Sequence, residues 1–221
     1  MKILLIGTDA HLSEAKLKFG PSHAYNQVPH HAEALKLFPL NEIVFDFIIE
    51  DEPQKINVYQ AAMAPAIFLN TTTVSLNKLL RGSAESQNTF FGFCGMPTFL
   101  NREQFEVSLY KNEDRHRLID ICAELGTGFQ VVADQTGLVT PRVISMIINE
   151  AYCTADENIA SREDIDLAMT LGTNYPQGPF AWGKMIGIKN ISRLLKAVYE
   201  DTGDERYRSC KMLDREAGLQ E

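Results

Sequence analysis

The sequence predicts an α/β domain built on a mainly parallel sheet, followed by an all-α domain. Three observations carry this. The chain opens strand, glycine, helix: Lys2-Ile3-Leu4-Leu5-Ile6 is a short apolar run ending at Gly7, with a helix-prone stretch over 13–19 behind it. Apolar strands then alternate with helix-prone segments up to about residue 133, the order of a parallel sheet with crossover helices. From Gly137 onward the strand signal disappears, and Val143, Ile144, Ile147, Ile148 and Ala151 recur at helical spacing. A boundary near Thr136 therefore divides a sheet domain over 1–136 from a helical domain over 137–221.

The elements follow in order. Residues 23–28 form a weak second strand, and 31–38 a short helix stopped by Pro39. Val44-Phe45-Asp46-Phe47-Ile48-Ile49 is a buried strand, followed by a helix over about 53–63 and a strand over 66–70. Further strands fall at 90–93, 105–109 and 129–133, with an amphipathic helix over 114–125 ended by Gly126. In the second domain Ser161-Arg162-Glu163-Asp164 has the form of a capping box and starts a helix that stops at Gly172. An irregular loop over 173–179, with Pro176, Gly178 and Pro179, precedes a last helix over 188–201. No internal repeat is visible.

A chain of 221 residues with 45% hydrophobic content can bury a sizeable core. The net charge of −8 disfavours nucleic acid or an anionic membrane as the main partner. No apolar run approaches the ~20 residues that span a bilayer, and the start runs into a strand instead of a secretory signal, so cytoplasmic residence is expected. Cys94, Cys122, Cys153 and Cys210 are scattered without a C-x-x-C pair and read as reduced thiols. His30 and His31 do not converge with acids or cysteines at ligand spacing, which leaves a solvated surface pair and no metal site.

A dinucleotide fingerprint after a first strand wants glycine at its first, third and sixth positions, so that the backbone can turn, approach a pyrophosphate and pack on the strand. Here those positions hold Gly7, Asp9 and Leu12. Asp9 sets a carboxylate beside the phosphates, and Leu12 adds bulk where packing is close. After the second strand, Gln27-Val28-Pro29-His30-His31 offers no acid for a ribose hydroxyl. Gly7 reads as a turn glycine.

Over 136–187 the chain carries an ordered set of motifs: Asn149-Glu150-Ala151, Ser161-Arg162-Glu163-Asp164-Ile165-Asp166 with Ala168-Met169, Leu171-Gly172, Tyr175-Pro176-Gln177-Gly178-Pro179-Phe180 and Ile186-Gly187. Through them this stretch resembles the helical C-terminal domain of the 3-hydroxyacyl-CoA dehydrogenases. Gly203-Asp204-Glu205-Arg206-Tyr207-Arg208 continues it. Upstream, Asp46 to Glu50 is similar to the family's acid-ended strand, and Leu69-Asn70-Thr71-Thr72 to its Ser-Asn-Thr-Ser segment. The resemblance implies a Rossmann-like nucleotide domain, here shortened, with Gly7 and Glu50 on the cofactor side and Asn70 on the substrate side.

It also implies NAD as cofactor, an acyl-CoA-type substrate, and a homodimer through the helical domain. In the family a histidine paired with a glutamate takes the hydroxyl proton, while a serine and an asparagine orient the substrate oxygen. The register from Gly92 puts Cys94 at the histidine position and Glu106 at its partner's; Thr72 falls on the serine and Pro141 on the asparagine. A thiol with an ordinary pKa of about 8.5 is a weak base at neutral pH, and proline has neither an amide side chain nor a backbone N–H. Cys94 also reads as a small buried apolar residue, and Glu106 as a solvated strand carboxylate.

Two functions follow as expectations. One is an NAD-dependent oxidoreductase on 3-hydroxyacyl-CoA in fatty-acid or hydroxybutyrate metabolism, with catalysis weakened or lost at Cys94 and Pro141. The other is a non-catalytic, dimeric acyl-CoA-binding or regulatory relative. A nucleophilic role for Cys94 on a thioester is a third and requires a lowered thiol pKa.

Overall fold

The computed structural model describes residues 1–59, 66–82 and 88–218. They form two compact units, Met1–Leu138 and Val139–Glu221.

In the first unit, strands β1 (Lys2–Ile6), β2 (Ala24–Val28), β3 (Ile43–Asp46), β4 (Ala66–Asn70), β5 (Phe90–Phe93), β6 (Gln104–Leu109) and β7 (Gly128–Val132) make one sheet in the order β2-β1-β3-β4-β5-β6-β7. Every pairing is parallel except β5 with β6. Helices cover both faces, which is why the inner strands are apolar on successive residues. Ile3, Leu5, Phe45, Phe68 and Phe91 face α1 (Asp9–Phe19) and α4 (Arg115–Leu125). Leu4, Ile6, Val44, Ile67 and Leu69 face α2 (His31–Ala34), α3 (Leu76–Leu79) and the 3-10 turns Phe38–Leu40 and Pro53–Tyr59. Phe45 stacks on Phe68 with centroids 4.6 Å apart and meets Phe93 edge-on at 5.5 Å, a seam that fixes the strand register.

Several elements differ from the sequence reading. The helix over 53–63 is a 3-10 turn over Pro53–Tyr59, and residues 60–63 lie outside the described residues. The helix over 31–38 is split into α2 and the turn at Phe38–Leu40, since Pro39 cannot continue it. β3 ends at Asp46, short of Ile49. The two histidines are not a solvated pair: His30 is exposed, but His31 is buried against Asp46. The core position of Asp46 draws a donor inward, because a buried carboxylate needs partners.

In the second unit the helices are α5 (Thr140–Asp156), α6 (Arg162–Thr173), α7 (Pro179–Ile186), α8 (Ile188–Thr202) and α9 (Lys211–Glu216). The Ser161 hydroxyl accepts the Asp164 N–H at 3.1 Å and donates to the Asp164 carboxylate at 2.7 Å, so the cap forms. Helix α7 was absent from the sequence reading because its cap is remote. The Asp166 carboxylate, on α6, accepts the N–H groups of Phe180 at 2.7 Å and Ala181 at 3.0 Å. Of the apolar residues that recur at helical spacing along α5, Ile144 and Ile148 are buried in their own unit, while Val143 is exposed.

Candidate functional site

The sheet order reverses direction about β1, whose neighbours are β2 and β3, and in open α/β sheets the crevice outside such a switch point is the ligand seat. The carboxyl ends concerned are Ile6-Gly7 and Asp46-Phe47, joined by the Phe47 N–H donated to the Ile6 carbonyl at 3.0 Å. Gly7 has φ +156°, and its carbonyl accepts Gln27 Nε2–H at 3.0 Å.

His11 fills the space above this turn. Its ring lies flat on Phe47, centroids 4.4 Å apart and planes within 9°. Its Nδ1 accepts the Thr8 N–H at 3.2 Å and would stand 2.5 Å from a side-chain carbon placed on Gly7. Burial holds the ring's pKa below its ordinary value, which keeps Nδ1 an acceptor. The Thr8 N–H is thus occupied by His11, and the stacked ring lies over the turn, where a pyrophosphate would need bare N–H groups.

The other sequence-predicted residues of this unit, apart from Gly7, converge at the ends of β4 and β5. Asn70 is their centre. Its amide donates to the Phe47 carbonyl at 3.1 Å and to Glu50 at 3.2 Å, and its Oδ1 accepts the Thr72 hydroxyl at 2.6 Å and the Gly95 N–H at 2.9 Å. The other Glu50 oxygen accepts the Thr73 N–H. A side chain at Gly95 would meet Asn70 at 2.7 Å, so glycine allows this backbone approach.

Cys94 is buried beside this network and hydrogen-bonded with Thr72. Burial, reinforced by the charges of Glu50 and Glu106, pushes its thiol up to about 12, against the pull of the bonds to Thr72 and Met96. A thiol raised so far is scarcely ionised at neutral pH. Glu106, on β6, is half-buried and near enough for its charge to act on Cys94. Pro141 lies in the second unit, buried in the first turn of α5, where a missing N–H costs nothing.

His11 and the His31–Asp46–Tyr59 group were missed. His11 follows Thr8 by three residues, the spacing of a reciprocal cap, which is the signal that could have found it. Among the described residues no group of three or more His, Cys, Asp or Glu could hold a metal ion, and no helix is long and apolar enough to cross a membrane.

An open, mainly parallel sheet with a glycine turn after its first strand, followed in the chain by an all-α unit, defines the class of Rossmann-like folds. Residues 137–220 match the family described as 3-hydroxyacyl-CoA dehydrogenase, C-terminal domain. The match is confined to the helical unit. The 3-hydroxyadipyl-CoA dehydrogenase of Escherichia coli K12 is 46% identical over 89 residues, which are 40% of this chain and 19% of that protein. The 3-hydroxybutyryl-CoA dehydrogenase of Clostridioides difficile is 37% identical over 82 residues, 37% of this chain and 29% of that protein. The chain thus spans less than a third of the length of these two relatives.

A probable 3-hydroxybutyryl-CoA dehydrogenase of Deinococcus radiodurans is 26% identical over 216 residues, 93% of this chain and 77% of that protein. In fold, the chain is similar to the (S)-3-hydroxybutyryl-CoA dehydrogenase PaaH1 of Ralstonia eutropha, with TM-score 0.72, 19% identity and coverage of 97% and 92%. FadB2 of M. tuberculosis gives TM-score 0.78 at 14% identity, with coverage of 96% and 92%.

Proposed function

We propose that this chain is a 3-hydroxyacyl-CoA dehydrogenase-like protein of fatty-acid or hydroxybutyrate metabolism that retains the fold for an acyl-CoA-type ligand and has lost NAD-dependent turnover. The observation that carries the reading is the His11 ring stacked on Phe47 above Gly7, in the seat a dinucleotide would need. The buried Cys94 thiol supports it, because the family register places a histidine base there. Pro141 supports it too, having no side-chain donor for a substrate oxygen. Glu106 and Thr72 keep the family's functional groups at their positions, and general-base catalysis of about 10²–10⁴-fold needs its partners in place to be realised.

The protein acts in this reading as a homodimer through the helical unit. Val143 is 53% exposed, and with Met146 and Ile147 it lines a mainly apolar groove of about 370 Å³. An exposed apolar groove of this kind favours a second copy.

The test is a steady-state assay of NADH absorbance with 3-hydroxybutyryl-CoA and saturating NAD. Negligible turnover is expected, and Cys94→His alone leaves it negligible, since the turn above Gly7 stays filled. Clear turnover by the unmodified protein, abolished by Glu106→Gln, would overturn the reading.

A further inference from the structure

We propose that Cys153 and Cys210 form a thiol–disulfide site: a small-molecule disulfide oxidises the pair and ties α5 to the start of α9. The sequence scatters the two cysteines, and the fold brings them together. Cys210 donates its N–H to Asn149 Oδ1 at 2.8 Å, and Cys153 stands one turn beyond Asn149 on the same face of α5. The Cys210 thiol is near enough to act on the titration of Cys153.

Three further contacts hold the segments side by side. Asn149 Nδ2–H donates to the Arg208 carbonyl at 3.2 Å, Tyr152 donates to Glu216 at 2.8 Å, and Arg215 pairs with Asp156 at 2.8 Å. Cys153 is half-buried and Cys210 buried, so Cys153 is the sulfur that an external reagent reaches. Cys94 and Cys122 are buried in the other unit and lie outside this chemistry.

The exchange balances in two steps. The Cys153 thiolate attacks one sulfur of oxidised glutathione, forming a mixed disulfide and expelling one glutathione thiolate. The Cys210 thiolate then attacks the Cys153 sulfur, forming the Cys153–Cys210 bond and expelling the second. The two cysteines lose two electrons and two protons, and glutathione disulfide becomes two thiols. Burial, then the Cys210 thiol and the charges of Glu150 and Glu157, push the Cys153 thiol up to about 12. The reaction is therefore slow at neutral pH and gains about tenfold per pH unit below that value.

The experiment incubates the folded, reduced full chain with oxidised glutathione at about pH 7.5 and pH 8.5, quenches with an alkylating reagent, and reads intact mass and peptide map. The expected result is a loss of about 2 Da with a Cys153–Cys210 cross-linked peptide, forming roughly tenfold faster at the higher pH and absent in Cys153→Ser. The cross-linked form should also unfold roughly 5–15 °C higher. A persistent glutathione adduct at Cys153, or two unoxidised cysteines after complete incubation at the higher pH, overturns the proposal.

Discussion

His31 Nε2 lies 2.8 Å from Asp46 Oδ2, both side chains sealed from solvent at the end of β3. Tyr59 donates its hydroxyl to the same oxygen at 2.8 Å, and the Ile48 N–H takes the other at 3.0 Å. Glu52 stands 3.6 Å from His31 Nδ1. One buried carboxylate thus ties the segment after β2, the turn after β3 and the 3-10 turn before β4.

This pair makes stability depend on pH. Burial opposes a charge on His31, but the hydrogen bond and charge of Asp46, with those of Glu52, outweigh it and raise the histidine's pKa above its ordinary value. A pKa raised in the folded state means that folding favours the protonated ring. The stabilisation is complete below the unfolded value of about 6.5 and is lost as pH rises through the folded one. The difference in unfolding free energy between the native chain and His31→Asn should be largest at acid pH and shrink across neutrality. Urea titrations at a series of pH values measure it, and a flat difference would refute the coupling.

Removing the carboxylate should cost far more than removing one of its donors. Asp46→Ala leaves His31 and Tyr59 buried without their acceptor and is expected to destabilise by about 3–5 kcal/mol. Tyr59→Phe removes one neutral donor and should cost about 1 kcal/mol. Denaturant unfolding of the two variants gives the ranking, and equal losses would show that the network is not centred on Asp46.

In the helical unit, Asp166 caps α7 from a different helix. Asp166→Ala frees the Phe180 and Ala181 N–H groups and should cost about 1–2 kcal/mol. Gly178→Ala should also destabilise, because its side chain would collide with that of Asp166. Thermal unfolding reads both, and an Asp166→Ala midpoint unchanged from the native chain would remove the cap from the account.

Cys94 should be inert in the folded protein. With its thiol pushed up to about 12, the thiolate is scarce at neutral pH, and burial denies access to reagents. Native alkylation at about pH 7 followed by peptide mapping should leave Cys94 unmodified until the chain is unfolded. Fast labelling there would restore the nucleophile reading.

The sheet and its strands were legible because both faces are covered, which writes the strands as apolar runs such as Ile3–Ile6 and Ala66–Asn70. The cluster of Glu50, Asn70, Thr72 and Cys94 was reached through a family resemblance, and the fold brings these four together with Glu106 nearby. What stayed hidden depends on partners distant in sequence. His31 is polar and lies beside an exposed histidine, so nothing local marks it as buried; its partner is 15 residues away. Helix α7 takes its cap from Asp166, 14 residues earlier, and a short segment after two prolines carries little helical signal of its own. Cys153 and Cys210 meet because α9 packs along α5, which spacing alone does not reveal.

The most direct test is a calorimetric titration of the purified chain with NADH and, separately, with acetoacetyl-CoA. The account predicts binding heat with acetoacetyl-CoA and none with NADH up to about 1 mM. The His11 ring already lies over Gly7. NADH binding at low-micromolar concentration would contradict it, and no heat from acetoacetyl-CoA would contradict its acyl-CoA half.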